Sequence, residues 1–424
     1  MVVKFNAKKD ILVGAVRKAA SSWTKVKELA LNIKSDGQGN YKVNIQGNGL
    51  YVAGASFAAT PEGAEGETTV VVSNLFLEAV NALSSLEGEE FTVEVTEDKV
   101  VVELGTGSVE VPVVKEPKTS FELPPIYPLG ALQIKTAEFR KGLSAVDHMI
   151  DAGNGEQWNN CVGFIPHKMD DVTSLSFIGT SNVGLAVSKV TVDKSTLNGE
   201  MPNMAVPVGP ICSAVKYLSG EVAMINIMAK GDPSKLEESV KPFALLIMDT
   251  TGTTFLITLH GQEYSAKMLD IANNTNETAS FKAGIEARSA LSAIKVASVG
   301  ESKVGIAISS VDGGLGVFDS KTHKKGAVIK ASKSGELPAE VVVSGYYLNR
   351  CLGAYSGEIC LKSMVTGGIG EPTVITIVGD EGFSVLLPIK NSATEKVSND
   401  AEAKAKAKEK EEKAKDAEIN GEEE

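Results

Sequence analysis

Val206-Pro-Val-Gly-Pro-Ile-Cys-Ser-Ala-Val-Lys-Tyr-Leu-Ser-Gly-Glu221 and Val343-Ser-Gly-Tyr-Tyr-Leu-Asn-Arg-Cys-Leu-Gly-Ala-Tyr-Ser-Gly-Glu358 are the stretches on which the reading of this chain turns. Each is 16 residues long, places apolar residues at helical spacing, and ends in Ser-Gly-Glu ahead of a run with strand character. Val72-Ser-Asn-Leu-Phe-Leu-Glu-Ala-Val-Asn-Ala-Leu-Ser-Ser-Leu-Glu-Gly-Glu89 is the same unit with two extra residues. The starting valines stand 134 and 137 residues apart, too long a period for a solenoid and the right size for a domain. One domain-sized unit therefore occurs three times.

Two further landmarks keep that period. Lys42–Val52, Ser176–Val187 and Ile306–Val317 each alternate apolar residues, pass a turn-rich gap and continue through a Gly-Leu pair into a second strand. That is a hairpin pattern, with Gly or Asn supplying the positive φ of the turn. The leucines, Leu50, Leu185 and Leu315, stand 135 and 130 residues apart and share a predicted role in the hairpin core. Each unit also opens alike: Phe5-Asn-Ala-Lys-Lys-Asp, Ile134-Lys-Thr-Ala-Glu-Phe and Phe281-Lys-Ala-Gly-Ile-Glu lead from a short strand into an amphipathic helix. Closing strand pairs are predicted at Phe91–Val95 with Val100–Leu104, Val222–Met228 with Phe243–Met248, and Ile359–Ser363 with Thr373–Val378. Two helices against so many strands make an α+β unit whose helices cover one face of a sheet. The predicted linkers are Lys115–Pro128 and Asp270–Ser280, both rich in loop residues.

The full chain has 424 residues, with 42 Lys and Arg against 54 Asp and Glu, for a net charge of −12. Such acidity argues against a protein that coats nucleic acid with its whole surface, though it leaves room for a basic patch. Aromatics are 5% of the residues, too few for stacking platforms along a strand. The four Cys are scattered at 161, 212, 351 and 360, and the four His form no metal-binding spacing. Buried reduced thiols, no metal and no cofactor are expected. No run approaches the roughly 18 apolar residues of a membrane span, and no apolar signal core opens the chain, so a cytoplasmic protein is expected. After Leu387-Pro388-Ile389 the alternation stops. Residues 391–424 hold seven Lys and eleven acids with almost nothing to bury, a disordered or partly helical tail that serves as a solubiliser or a tether.

Three consecutive α+β repeats of about 130 residues with two helices each resemble the bacterial sliding clamp, the β subunit of the replicative DNA polymerase. The resemblance covers residues 1–390. It is carried by Val3-Lys4-Phe5 with a helix at once behind it, by Thr180-Ser-Asn-Val-Gly-Leu-Ala-Val187 where the family has Thr-Asp-Gly-x-Arg-Leu-Ala, and by Leu387-Pro388-Ile389 against its Met-Pro-Met type end. The family's Asp-Gly-x-Phe-Pro-x-Tyr segment is His260-Gly-Gln-Glu-Tyr264 here, and the His-Arg dipeptide of its second-domain motif is Val183-Gly184. These departures fit a divergent member, phage-encoded ones included. The resemblance implies clamp domains at 1–124, 125–272 and 273–390, and a head-to-tail homodimeric ring around double-stranded DNA. It further implies a processivity role with the replicative polymerase and a clamp loader as partners, and no catalysis. A partner-peptide pocket is implied at Thr180, Asn182, Leu185, Val385, Leu387, Pro388 and Ile389.

A ring that slides needs mobile electrostatic attraction without base readout, which basic helix faces supply. In the first opening helix Ile11, Leu12, Ala15, Val16 and Ala19 form the inward stripe, so at 100° per residue Arg17 faces away and Lys18 lies at the flank. In the second, Phe139, Leu143, Val146 and Ile150 turn inward, leaving Lys141 and His148 outside with Arg140 on a flank. In the third, Arg288 and Lys295 share a flank beside a stripe of Ala287, Ala290, Leu291, Ile294 and Ser298. The later helices add Lys216 and Arg350, and the first unit's offers only Glu78. All four Arg of the chain fall on predicted helices.

Two rival classes remain in the sequence. An enzyme of unrecognised class lacks support from any phosphate loop, metal spacing or Gly-x-Ser-x-Gly elbow, and Gly367-Gly-Ile-Gly370 reads as a turn. A structural protein of tandem β-rich domains, such as a phage or surface component, would lack six amphipathic helices at corresponding places.

Overall fold

The computed structural model describes residues 2–63, 66–151, 160–168, 173–192, 198–199, 201–231, 241–261, 263–300, 304–335, 337, 340–365 and 373–389. The charged tail 391–424, Gly367–Gly370 and Gln262 lie outside them. Seven helices are present among the described residues: α1 (Lys9–Ala20), α2 (Leu75–Leu83), α3 (Thr136–Asp147), α4 (Val208–Lys216), α5 (Lys267–Glu277), α6 (Ala287–Ala297) and α7 (Gly345–Ala354). The rest of the regular structure is antiparallel strand, so the α+β reading holds.

Each repeat opens on a strand that runs straight into a helix: Val3–Lys8 into α1, Ile126–Lys135 into α3, Phe281–Glu286 into α6. The strands alternate burial because one face meets helices and the other meets water. Tyr41, Val43, Ile45 and Gly47 are buried while Lys42, Asn44, Gln46 and Asn48 point the other way. All three predicted closing pairs form, with Val95 opposite Val100, Met224 opposite Met248, and Cys360 opposite Val378.

The described chain divides into two compact units. The first, 1–181 with 186–270, contains the first two repeats. One antiparallel sheet runs through both, in the order Asn198–Gly199, Ile126–Lys135, Val222–Lys230, Ala244–Asp249, Thr253–Thr258, Val52–Pro61, Val3–Lys8, Glu90–Val95, Lys99–Leu104, Gly107–Pro112. The seam is the pairing of Thr253–Leu256 with Val52–Ala55. Behind α1 and α2 lies a core that includes Phe5, Leu12, Val16, Leu31, Phe76 and Phe91, each at most 1% exposed. Full burial of such a side chain contributes about 1.5–3 kcal/mol. In the second repeat Phe139 of α3 stacks on Phe177 (centroids 5.9 Å), which meets Phe164 edge-on at 4.9 Å. Gly142 lets that helix approach, since a Cβ there would lie 2.6 Å from the Phe177 ring.

The second unit, 271–424 with 182–185, holds two sheets. In one, Gly382–Leu386, Thr373–Gly379, Glu358–Val365, Phe281–Glu286 and Ser332–Ser334 lie in that order. The other runs Gly326–Lys330, Gly314–Asp319, Gly305–Val311, Val341–Ser344.

Several expectations are corrected. The Asn-rich stretch read as a linker at Asp270–Ser280 is largely helix α5, because Leu269, Ala272 and Thr275 fall three residues apart and are buried. The first linker ends early, with Ile126–Pro128 already in a strand whose register shifts between Ile227 and Met228. Ile11 is 39% exposed, so the α1 stripe is Leu12, Ala15, Val16 and Ala19. The three hairpin leucines do not share one role: Leu315 is buried, Leu185 is half-buried, and Leu50 is 55% exposed. Leu50 sits on a three-residue connection between Asn48 and Val52 rather than in a strand.

Candidate functional site

All four Arg lie on helices: Arg17 on α1, Arg140 on α3, Arg288 on α6 and Arg350 on α7. Their surroundings differ. Arg17 donates from Nε and Nη2 to Asn81 Oδ1 of α2 (3.0 and 2.8 Å), which fixes the guanidinium on an exposed face and leaves three of its five donors outward. Arg140 donates to the carbonyls of Val215 (3.1 Å) and Leu218 at the C-terminal end of α4, where helix carbonyls lack intrahelical partners and a cation is favoured. Lys141 and Lys216 are exposed. Arg288 and Lys295 are exposed and make no side-chain hydrogen bond or ion pair with another described residue. Arg350 lies over the Tyr346 ring, 5.3 Å from its centroid.

Two expected bases are placed elsewhere. His148 is buried, at 7% exposure. His148 is the C-cap of α3 and keeps helical dihedrals (φ −63°, ψ −20°), so it stays on the face opposite the Leu143 and Val146 stripe, and it is buried there rather than open to solvent. Lys18 points along the seam between the first two repeats. Its ammonium donates to the hydroxyls of Thr253 (2.7 Å), Ser219 (2.8 Å) and Thr251 (3.3 Å). Burial lowers its pKa, with Asp249 pulling the other way. Tyr51 reinforces the seam with hydrogen bonds to Ser21 and Ser213.

Residues of the expected partner pocket fall in both units. Thr180, in the first, is buried and accepts a hydrogen bond from Tyr264 Oη at 3.3 Å. Burial drives the Tyr264 phenol up to about 12, only partly offset by that bond. A Cβ on Gly163 would lie 2.5 Å from the Tyr264 ring, so this glycine makes room for it. In the second unit the Leu387 amide donates to the Val183 carbonyl (2.9 Å), between Asn182 and Leu185, and the Ile389 amide donates to Val342 (2.8 Å). Val385 is buried, Leu387 is 48% exposed, and Pro388 and Ile389 are half-buried.

The sequence reading passed over Tyr346, 53% exposed on α7, and the apolar Val328 at 55% on an edge strand. The i, i+4 spacing of Tyr346 and Arg350 was the available sign for the first. Among the described residues no group of three or more His, Cys, Asp or Glu could hold a metal ion, and no helix is long and apolar enough to cross a membrane.

No protein-family model and no curated protein sequence matches the chain. Solved structures do. A C. crescentus beta sliding clamp superposes with a TM-score of 0.71 at 14% identity, covering 92% of this chain and 99% of that one. The DNA polymerase III beta subunit of Thermotoga maritima gives 0.69 at 12% identity, and the DNA polymerase sliding clamp of Bacillus subtilis 0.70 at 17%. Each of those two alignments covers 92% of this chain and 100% of the other. Over nearly its whole described length, and at identities that mark wide divergence, the chain has the fold of the bacterial DNA polymerase sliding clamp.

Proposed function

We propose that this protein is a DNA polymerase processivity factor: a ring that encircles duplex DNA and tethers a replicative polymerase, performing no covalent chemistry. The observation that carries the reading is the placement of cations on a clamp-type fold. Every Arg of an acidic chain lies on a helix that packs its other face on a sheet. Arg17, Arg140, Lys141, Lys216, Arg288, Lys295 and Arg350 supply the lining, without Lys18 or His148. Their attraction to phosphate is sequence-independent and screened by salt, so it holds DNA without fixing a register. In this reading 1–124, 125–272 and 273–390 are the three clamp domains of a cytoplasmic protein, opened on DNA by a clamp loader. On the second unit, Asn182, Leu185, Val385, Leu387, Pro388 and Ile389 would offer contacts to short partner peptides with Leu or Phe anchors, while Thr180 belongs to the first unit and is engaged by Tyr264.

Two of the sheet edges among the described residues support a head-to-tail dimer. Gly107–Pro112 ends the sheet of the first unit and Gly326–Lys330 ends one sheet of the second, each paired on one side only. Exposed edges of this kind are templates for pairing unless blocked. Residues 90–112 carry six carboxylates and one Lys, whereas residues 321–333 carry five Lys and no carboxylate. Like edges repel and unlike edges attract, which selects a contact between the first repeat of one copy and the third of another, and such contacts close into a ring.

Retention on circular DNA tests the proposal. The full chain loaded onto nicked circular duplex should survive a salt wash and be released once the circle is cut. Equal loss from circular and linear DNA refutes it.

A further inference from the structure

The third repeat carries a feature that sliding does not need. Its helices α6 and α7 hold Arg288, Lys295 and Arg350 and contain no carboxylate, for +3 in all. The pair α1 and α2 nets +1 once Asp10 and Glu78 are counted, and α3 with α4 nets +1 after Glu138 and Asp147. On this most basic pair stands Tyr346, the most exposed aromatic side chain among the described residues. Its ring is held in place. The Arg350 guanidinium lies 5.3 Å from the centroid and reaches the phenol oxygen through Nη1 at 3.2 Å, and Tyr347 meets the ring edge-on at 5.0 Å and 87°. Beside it a cleft of about 300 Å3 opens between the helices, lined by Lys295 and Ser298 on one wall and Tyr346 and Asn349 on the other.

We propose that this cleft binds a single unpaired nucleotide, with the base stacked on Tyr346 and its phosphate met by Lys295 and Arg350. The inference rests on the nucleic-acid reading above for its class of ligand and adds a stationary contact to a sliding one. A fixed aromatic face next to cations is what single-stranded nucleic acid uses, because a base offers its face only when it is not already stacked in a duplex. Ser298 and Asn349, which line the cleft, offer hydrogen-bond partners to a base edge. The small opening suits one base and no duplex. Such a site would hold the unpaired template strand beside a primer end while the duplex passes through the ring.

The test uses the full chain and a fifteen-nucleotide oligo-dT with 2-aminopurine at its centre, a base whose fluorescence is quenched on stacking. Wild type and Tyr346→Phe should bind and quench alike. Tyr346→Ala and Tyr346→Leu should lose the quench and bind at least about fivefold more weakly, with unchanged elution volume and circular dichroism. Lys295→Ala should keep the quench and lower the slope of log affinity against log salt by about 0.7, the share of one phosphate on a single strand. Quenching by Tyr346→Ala at the wild-type level, or no quench by the wild type, overturns the proposal. Retention on nicked circular duplex is measured on the same variants. Its loss with the quench intact would remove the clamp reading and leave the nucleotide site standing.

Discussion

Asp249 shows how much a single carboxylate can organise. It sits in the turn that ends Ala244–Asp249, and its oxygens accept from the backbone N–H groups of Ser219 (2.7 Å), Gly220 (3.0 Å), Thr251 (2.9 Å) and Thr253 (3.1 Å) and from the Thr251 hydroxyl (2.7 Å). Those same Ser and Thr residues are the ones that receive the Lys18 ammonium from the first repeat. Partial burial works to raise the Asp249 pKa, and the hydrogen bonds overcome it and bring the group down to about 2. Because the folded value lies below the unfolded one, near 3.9, the carboxylate stabilises the fold above pH 4 and that contribution fades as pH falls through about 2. Asp249→Asn should therefore be less stable than wild type in urea at pH 6, with the gap closing between pH 4 and pH 2. A gap independent of pH would mean that the charge is not what holds the turn. None of this was visible in the sequence. Lys18 looks like a flank residue of an amphipathic helix, and only the partner repeat, over 200 positions away, shows that three hydroxyls wait for it.

At the scale of elements, the recurring strand-to-helix opening was legible because it is a matter of local periodicity. Phe5, Ile134 and Phe281 each stand in a strand whose last residues lead into a helix, and the apolar spacing changes from two to near 3.6 at that point. What local pattern could not reach was the end of an element. The Asn-rich run at 273–276 would be loop if Leu269 and Ala272 had nothing to cover, and His148, still helical in its dihedrals, is buried on the face that the periodicity alone leaves open. Close approach between elements was equally hidden, since a glycine in a helix reads as a weakness. Gly142 is the clearest case. Its missing Cβ would stand 2.6 Å from Phe177 Cδ2 and Cε2 and 2.9 Å from Val190 Cγ2, and the Phe177 ring is hemmed in by Phe139 and Phe164. Gly142→Ala therefore has to displace either α3 or the ring. Helix propensity favours Ala over Gly by about 1 kcal/mol, whereas overpacking a filled core costs about 1–3 kcal/mol. The net expectation is a loss of up to about 2 kcal/mol in urea unfolding. Stabilisation by this change would show that α3 packs more loosely against the sheet than the contacts describe.

At the scale of the whole chain, the net charge of −12 is an average over segments of opposite sign. The first repeat finishes in the edge strand Gly107–Pro112, whose Glu110 pairs with Lys99 of the neighbouring strand at 2.6 Å, and Glu103 of that neighbour remains exposed. The third repeat presents the basic edge Gly326–Lys330, whose centre is the exposed Val328; the exposed Val296 lies on α6, which packs against that strand, and the exposed Val299 follows just beyond the end of that helix. An apolar centre with a charged rim is the anatomy of a specific interface, in which the centre supplies affinity and the rim supplies partner choice. If the proposed head-to-tail dimer uses this edge, Val328→Asp should yield a folded monomer on gel filtration at micromolar concentration, because it would place an unpaired carboxylate in the desolvated centre of that interface. Lys324→Glu with Lys330→Glu should weaken the dimer more gently and most at low salt, since rim charges are screened over about 8–10 Å. Mixing that double variant with a chain carrying Glu103→Lys should recover part of the association, which a nonspecific loss of stability would not allow. A Val328→Asp protein that still elutes as a dimer would exclude this edge from the interface. A wild type that elutes as a monomer at every salt concentration would remove the two-chain ring itself.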